Sequence, residues 1–137
     1  MAKTRLNHIG IAIDRLPEMT RLFALLGLAV DHVEPVPEQG VRTHFLPLPV
    51  DLVNLELLEV TDPAGTVARF IEKRGPGIHH LSFEVTRGEL DSLCAKLRDE
   101  GFKLTYDSPK AGAHQMRINF IHPASAGGIL IELMERL

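Results

Sequence analysis

The chain has 137 residues, 45% of them apolar and 24% charged, with a formal net charge of −3 and a single cysteine. That is one domain's worth of chain, or two small halves sharing a core. The charge, with no Lys/Arg stripe along one face, argues against a nucleic-acid partner, no apolar run reaches the roughly 18 residues of a membrane span, and Cys94 alone closes no internal disulfide, which fits a reducing compartment. The N-terminus has no basic segment leading into an apolar one, so a cytoplasmic location is expected.

Residues 5–14 read as a strand with Ile9, Ile11 and Ile13 on one face and His8, Gly10 and Ala12 on the other. Asp14 offers a cap, and Leu16-Pro17-Glu18 opens a helix in which proline sits early enough to do no harm. Met19, Leu22, Phe23 and Leu26 follow at helical spacing, and Gly27 stops the run. Leu28 to Val33 is expected as a second strand, and Pro35 to Gly40 as a turn. Val41 to Leu46 and Val53 to Val60 read as strands three and four, separated by Pro47-Leu48-Pro49. Asp62-Pro63-Ala64-Gly65 marks a hinge, and a short helix, Val67 to Lys73, precedes the break at Gly75-Pro76-Gly77.

The same order then returns. A strand over 78–86 leads to a helix over 89–100, with Leu90, Leu93 and Leu97 inward and Gly101 as its stop. A strand over 102–106, a loop over 107–113 and strands over 115–121 and 128–135 finish the chain. The reading is an α+β protein, a single domain over 1–137 built from two tandem βαβββ modules. The first module spans about 4–62, a connecting segment 63–77, and the second module about 78–137. Period-2 alternation in most strands implies sheets with one face toward a cleft and helices packed outside.

The repeat reaches single residues. Setting His8 on His80 aligns Ile9 with Leu81, Gly10 with Ser82, Ile11 with Phe83 and Ile13 with Val85. Asn54-Leu55-Glu56-Leu57-Leu58 then matches Leu130-Ile131-Glu132-Leu133-Met134, and the His-to-Glu spacings are 48 (56 − 8) and 52 (132 − 80). A glutamate inside an apolar strand costs several kcal/mol when buried without a partner. One strand histidine is ordinarily a hydrogen-bonded core or surface residue, and one strand glutamate ordinarily faces solvent. Two of each, in register in two repeats, point instead to a divalent cation held by nitrogen and oxygen, as suits Zn²⁺, Co²⁺, Mn²⁺, Ni²⁺ or Fe²⁺.

His79, next to a ligand position but on the opposite face, is expected behind the ligands or facing substrate. His32 and His44 are expected as surface or core polar residues, and Cys94 as a small buried hydrophobe. Three loops, Glu38-Gln39-Gly40, Ala111 to Gln115 and His122 to Gly128, read singly as turns. Together they supply backbone amides, imidazoles and one free carboxylate for the rim of a metal cleft.

With these residues in place, the duplicated module resembles the vicinal oxygen chelate superfamily. Within it, Asn7 to Ala12, Pro37-Glu38-Gln39-Gly40-Val41, Arg74 to His80, Gly112-Ala113-His114 and His122 to Leu133 resemble the methylmalonyl-CoA epimerase family, over essentially the whole chain. The resemblance implies a metal bound by His8, Glu56, His80 and Glu132, with Co²⁺ favoured over Zn²⁺, Mn²⁺ or Ni²⁺. Glu56 stands where some members carry Gln, which makes the set similar to that of glyoxalase I. The family's acid/base pair falls on Glu38 and Glu132, and substrate contacts fall on Gln39, His79, His114 and His122. The implied reaction is proton removal and return at C2 of an acyl-CoA, with a homodimer as the assembly. A glyoxalase I-like isomerase, a ring-cleaving dioxygenase and a metal-free binding protein of the same superfamily are the alternatives.

Overall fold

The computed structural model of the chain describes residues 3–137. Among them the elements run β1 (Thr4–Ile13), α1 (Leu16–Leu25), β2 (His32–Val36), β3 (Val41–Leu48), β4 (Val53–Val60), α2 (Thr66–Arg74), β5 (Gly77–Val85), α3 (Leu90–Asp99), β6 (Lys110–Ala111), β7 (Met116–Ile121) and β8 (Leu130–Arg136). Short 3₁₀ turns occupy Pro37–Gln39 and Pro123–Ser125. The chain divides into two compact units, one of His8–His79 and one that joins residues 3–7 to His80–Leu137.

In the first unit the strands lie in the order β2-β3-β4-β1, with β1 parallel to β4 and the other pairs antiparallel. The face carrying Ile11, Ile13, Leu55 and Leu57 packs against α1 through Leu16, Met19 and Phe23. The opposite face of the same strands buries Ala12, Val41 and Leu58 beneath Val67, Phe70 and Ile71 of α2. Strand alternation puts His8 and Gly10 on that second face, beyond the cluster that α2 covers.

The second unit repeats the plan as β5-β8-β7-β6, with β5 parallel to β8. Helix α3 buries Leu90, Cys94, Leu93 and Leu97 against Phe83, Val85, Ile131 and Leu133. His80, Ser82 and Glu84 therefore face away from α3. The N-terminal segment runs beside β5: the Thr86 N–H donates to the Lys3 carbonyl at 3.0 Å.

Both units are thus βαβββ, as the repeat predicts, with four local corrections. The second strand is His32–Val36 rather than Leu28–Val33, and Pro35 and Val36 belong to it. Because β2 lies at the edge of its sheet, a proline there breaks no ladder on its outer side. Strand β3 continues to Leu48 through Pro47, beyond the last pair with β2 (His32 with Phe45), so the missing N–H takes no bond from β2. Helix α1 is preceded by Arg15 at the N-cap with no side-chain cap bond, so Asp14 sits one position too early to serve.

Residues 102–106 are not a strand. They make one bridge, Leu104 with Ile121, and the strand β6 falls inside the expected loop at Lys110–Ala111. The fully buried Asn119 explains this departure. Its amide accepts from the Tyr106 N–H (3.1 Å) and donates to the Tyr106 carbonyl (3.1 Å), doing for that backbone what a neighbouring strand would do.

Candidate metal centre

The register of the two parallel pairs builds the centre. In the first unit Gly10 of β1 lies opposite Glu56 of β4, and in the second Ser82 of β5 lies opposite Glu132 of β8. Each histidine stands two residues before the small residue, on the same face. A small residue beside each glutamate leaves room for a carboxylate that a larger neighbour would crowd.

His8 is buried, with its Nδ1 3.0 Å from Glu56 Oε2. Burial pushes its pKa down to about 4, so the imidazole is neutral at physiological pH. A neutral imidazole is the protonation state that ligates a cation.

His80 is also buried. Burial raises the pKa of Glu132, and the fully buried Ser82 hydroxyl beside it pulls the other way. Ser82 Oγ also lies 3.0 Å from Met134 Sδ. Its single proton goes to the better acceptor, the carboxylate whenever that is ionised. His8, His80 and Glu132 each offer a ligand atom, and the three atoms lie within 4.8 Å of one another. Two imidazole nitrogens and a carboxylate oxygen at that separation suit a divalent first-row ion. Glu56 is outside this group of three and reaches it through His8.

The other sequence candidates are not part of the cluster. Glu38 is exposed on its 3₁₀ turn, and Gln39 beside it is half-buried. Gly40 ends that turn at φ +68°, where an added Cβ would meet Asp62 Cβ at 3.0 Å and Gly65 Cα at 3.2 Å, so the turn requires glycine. His79 is half-buried edge-on to Phe70, with ring centroids 5.0 Å apart, and burial lowers its pKa. His114 is exposed with φ +57°. His122 is exposed, and its Nδ1 accepts from the Ala124 N–H at 3.0 Å, which caps the turn at Pro123–Ser125. His32 pairs with Glu34 at 2.7 Å and His44 with Glu59 at 3.1 Å, both away from the cluster. Sequence reasoning aligned Ser82 with Gly10 and gave it no role, although it is the one hydroxyl in register with Glu132.

A pair of βαβββ units defines the vicinal oxygen chelate fold, and the match to known families agrees. Residues 7–120 match the Glyoxalase/Bleomycin resistance protein/Dioxygenase superfamily, to which the chain belongs. Among its relatives is the Ethylmalonyl-CoA/methylmalonyl-CoA epimerase of Cereibacter sphaeroides, 35% identical, with 94% of this chain and 96% of that protein covered. The crystal structure of methylmalonyl-CoA epimerase from Mycobacterium tuberculosis superposes with a TM-score of 0.84 at 38% identity, covering 96% of this chain and 87% of that one. A methylmalonyl-CoA epimerase in complex with methylmalonyl-CoA and NH4+ superposes with a TM-score of 0.82 at 36% identity, covering 97% and 94%. Within the superfamily, the chain is a member of the methylmalonyl-CoA epimerase family.

Proposed function

We propose that the chain interconverts (2R)- and (2S)-methylmalonyl-CoA by removing and returning the proton at C2. The observation that carries this reading is the cluster of His8, His80 and Glu132, with Glu56 against His8, in a chain of this family. These four residues are the proposed ligands of a divalent ion, with Co²⁺ favoured. When bound, the ion stabilises the negative charge that gathers on the thioester oxygen as the C2–H bond breaks.

Inversion requires a proton acceptor on one face of the planar enolate and a donor on the other. Glu38, exposed on its turn, and Glu132 are the proposed pair. A metal-bound carboxylate is a weak base, so in this reading Glu132 loosens from the ion while it takes or returns the proton. Gln39, His79, His114 and His122 are the proposed contacts to the substrate's carboxylate and thioester. The reading extends to a cytoplasmic homodimer, carried by the family resemblance. Among the described residues no helix is long and apolar enough to cross a membrane.

Proton NMR in D₂O with methylmalonyl-CoA and Co²⁺ tests the reaction. The C2 proton signal should disappear as enzyme is added. A persistent signal overturns the proposal. Turnover of the methylglyoxal–glutathione hemithioacetal in its place would establish the glyoxalase I-like reading, which the second carboxylate, Glu56, favours.

A further inference from the structure

The two units repeat their candidate ligands but not the residue beside each carboxylate. Where β1 pairs with β4, Gly10 lies opposite Glu56; where β5 pairs with β8, Ser82 lies opposite Glu132. Gly10 brings no side chain to Glu56, which has the His8 ring against it at 3.0 Å. Ser82 brings a hydroxyl to Glu132. The second carboxylate thus has an O–H donor in its own row of the sheet, and the first does not.

A buried hydroxyl needs a partner, and the fully buried Ser82 has two within reach. Its Oγ lies 3.0 Å from Met134 Sδ, and it also hydrogen-bonds to the Glu132 carboxylate. Met134 stands two residues beyond Glu132 on the same face of β8, on the side away from His80. One hydroxyl has one proton and donates to one acceptor at a time. A thioether is a weak acceptor and an ionised carboxylate a strong one. A carboxylate must be ionised to ligate, so in that state the Ser82 proton belongs to Glu132.

Glu132 offers the cluster one ligand atom. Its second oxygen can then accept from Ser82, which fixes the plane of the carboxylate as well as its position. We propose that Ser82 is a positioning residue for Glu132. Its hydroxyl aims one carboxylate oxygen at the cation and keeps the side chain in its row when Glu132 loosens to take or return a proton. The second half of this role rests on the epimerase reading above; the aiming of the ligand does not. Glu56, opposite a glycine, has no such tether in its row, so the two carboxylates differ in how they are held.

The test uses S82A, which removes the hydroxyl, and M134L, which replaces the competing acceptor with a side chain of similar size. Calorimetry with Co²⁺ alone reads the ligand set without any catalysis. S82A should weaken Co²⁺ binding by about tenfold, the lower end of what losing a ligand's hydrogen-bond partner costs. M134L should bind at least as tightly as wild type, and S82A/M134L no differently from S82A, because without the hydroxyl there is no proton to share. The visible absorption bands of bound Co²⁺, which follow ligand geometry, should change in S82A and stay as in wild type in M134L. With Co²⁺ saturating, S82A should lower kcat and leave KM for methylmalonyl-CoA unchanged. Equal Co²⁺ affinity in S82A and wild type, or an equal loss in M134L, would overturn the proposal, the latter by tracing the effect to packing. Weaker Co²⁺ binding in S82A, in a protein that leaves the C2 proton in place, supports the aiming of Glu132 and overturns the epimerase reading. C2 exchange in a protein whose S82A variant binds Co²⁺ as wild type does the reverse.

Discussion

Glu132 offers the sharpest test, because the same carboxylate should be a burden without metal and a necessity with it. Burial raises its pKa, so ionising it in the folded protein costs free energy that the unfolded chain does not spend. A folded-state pKa above the unfolded value means that stability is fully present below pH 4.5 and is lost as pH rises through the raised value. Glu132→Gln keeps the shape and hydrogen bonding of the side chain and removes that loss. In the presence of a chelator, the variant should be more stable than wild type at pH 8 by about 1–4 kcal/mol, the range seen when buried charges are replaced. For a domain of this size that is a rise in Tm of roughly 3–4 °C per kcal/mol. The difference should vanish near pH 4.5. Co²⁺ should reverse the order: at a hundred times its Kd it stabilises the wild type by about 2.7 kcal/mol and leaves the variant unmoved. Thermal melts by circular dichroism at both pH values, with chelator and with Co²⁺, read all four quantities. A chelated variant that melts below wild type at pH 8, or a Co²⁺ shift of equal size in both proteins, would refute the reasoning.

Three further outcomes follow from the same coordinates. Glu38→Ala should abolish epimerisation while bound Co²⁺, measured by metal analysis, stays at the wild-type level, and unchanged turnover would remove Glu38 from the chemistry. Cys94 is 1% exposed and burial raises its thiol pKa, so a thiol reagent at pH 8 should label it only at the rate of unfolding, whereas rapid labelling of the native protein would contradict the packing. Asn119→Ala strips the partner from the Tyr106 N–H and from the Phe120 N–H, leaves the Tyr106 carbonyl only its Arg98 donor, and should cost roughly 2 kcal/mol in urea denaturation; a loss near zero would mean water replaces the amide.

What the sequence discloses tracks how local the physics is. Strand β4 is legible to the residue, because Val53 to Val60 is an apolar run closed off at both ends by turn residues. The grouping of His8, His80 and Glu132 has a different signal in the sequence: duplication repeats the costly glutamate in register, and two costly choices at equivalent sites are hard to explain by packing. Residues 102–106 are illegible because a single distant side chain, Asn119, decides their hydrogen bonding, and nothing in the pattern of 102–106 announces it. The second strand was misplaced because Pro35 reads as a turn unless the strand is known to lie at a sheet edge. Glu38, Gln39, His114 and His122 sit on turns whose residues are visible in sequence but whose approach to a substrate no periodicity encodes.

The difference between the repeats follows from where each face needs to be closed. In the proposed ligand set an ion would ask the same thing of both units, an imidazole and a carboxylate two residues apart in register, and those positions are alike. Two residues further on, that demand ends and the units diverge: Ala12, Leu58 and Val60 accept a helix, whereas Glu84 and Arg136 form an ion pair at the wall of an open recess. A buried glutamate held by two arginines adds little to stability, since an apolar pair like Ala12 and Val60 would pack at least as well.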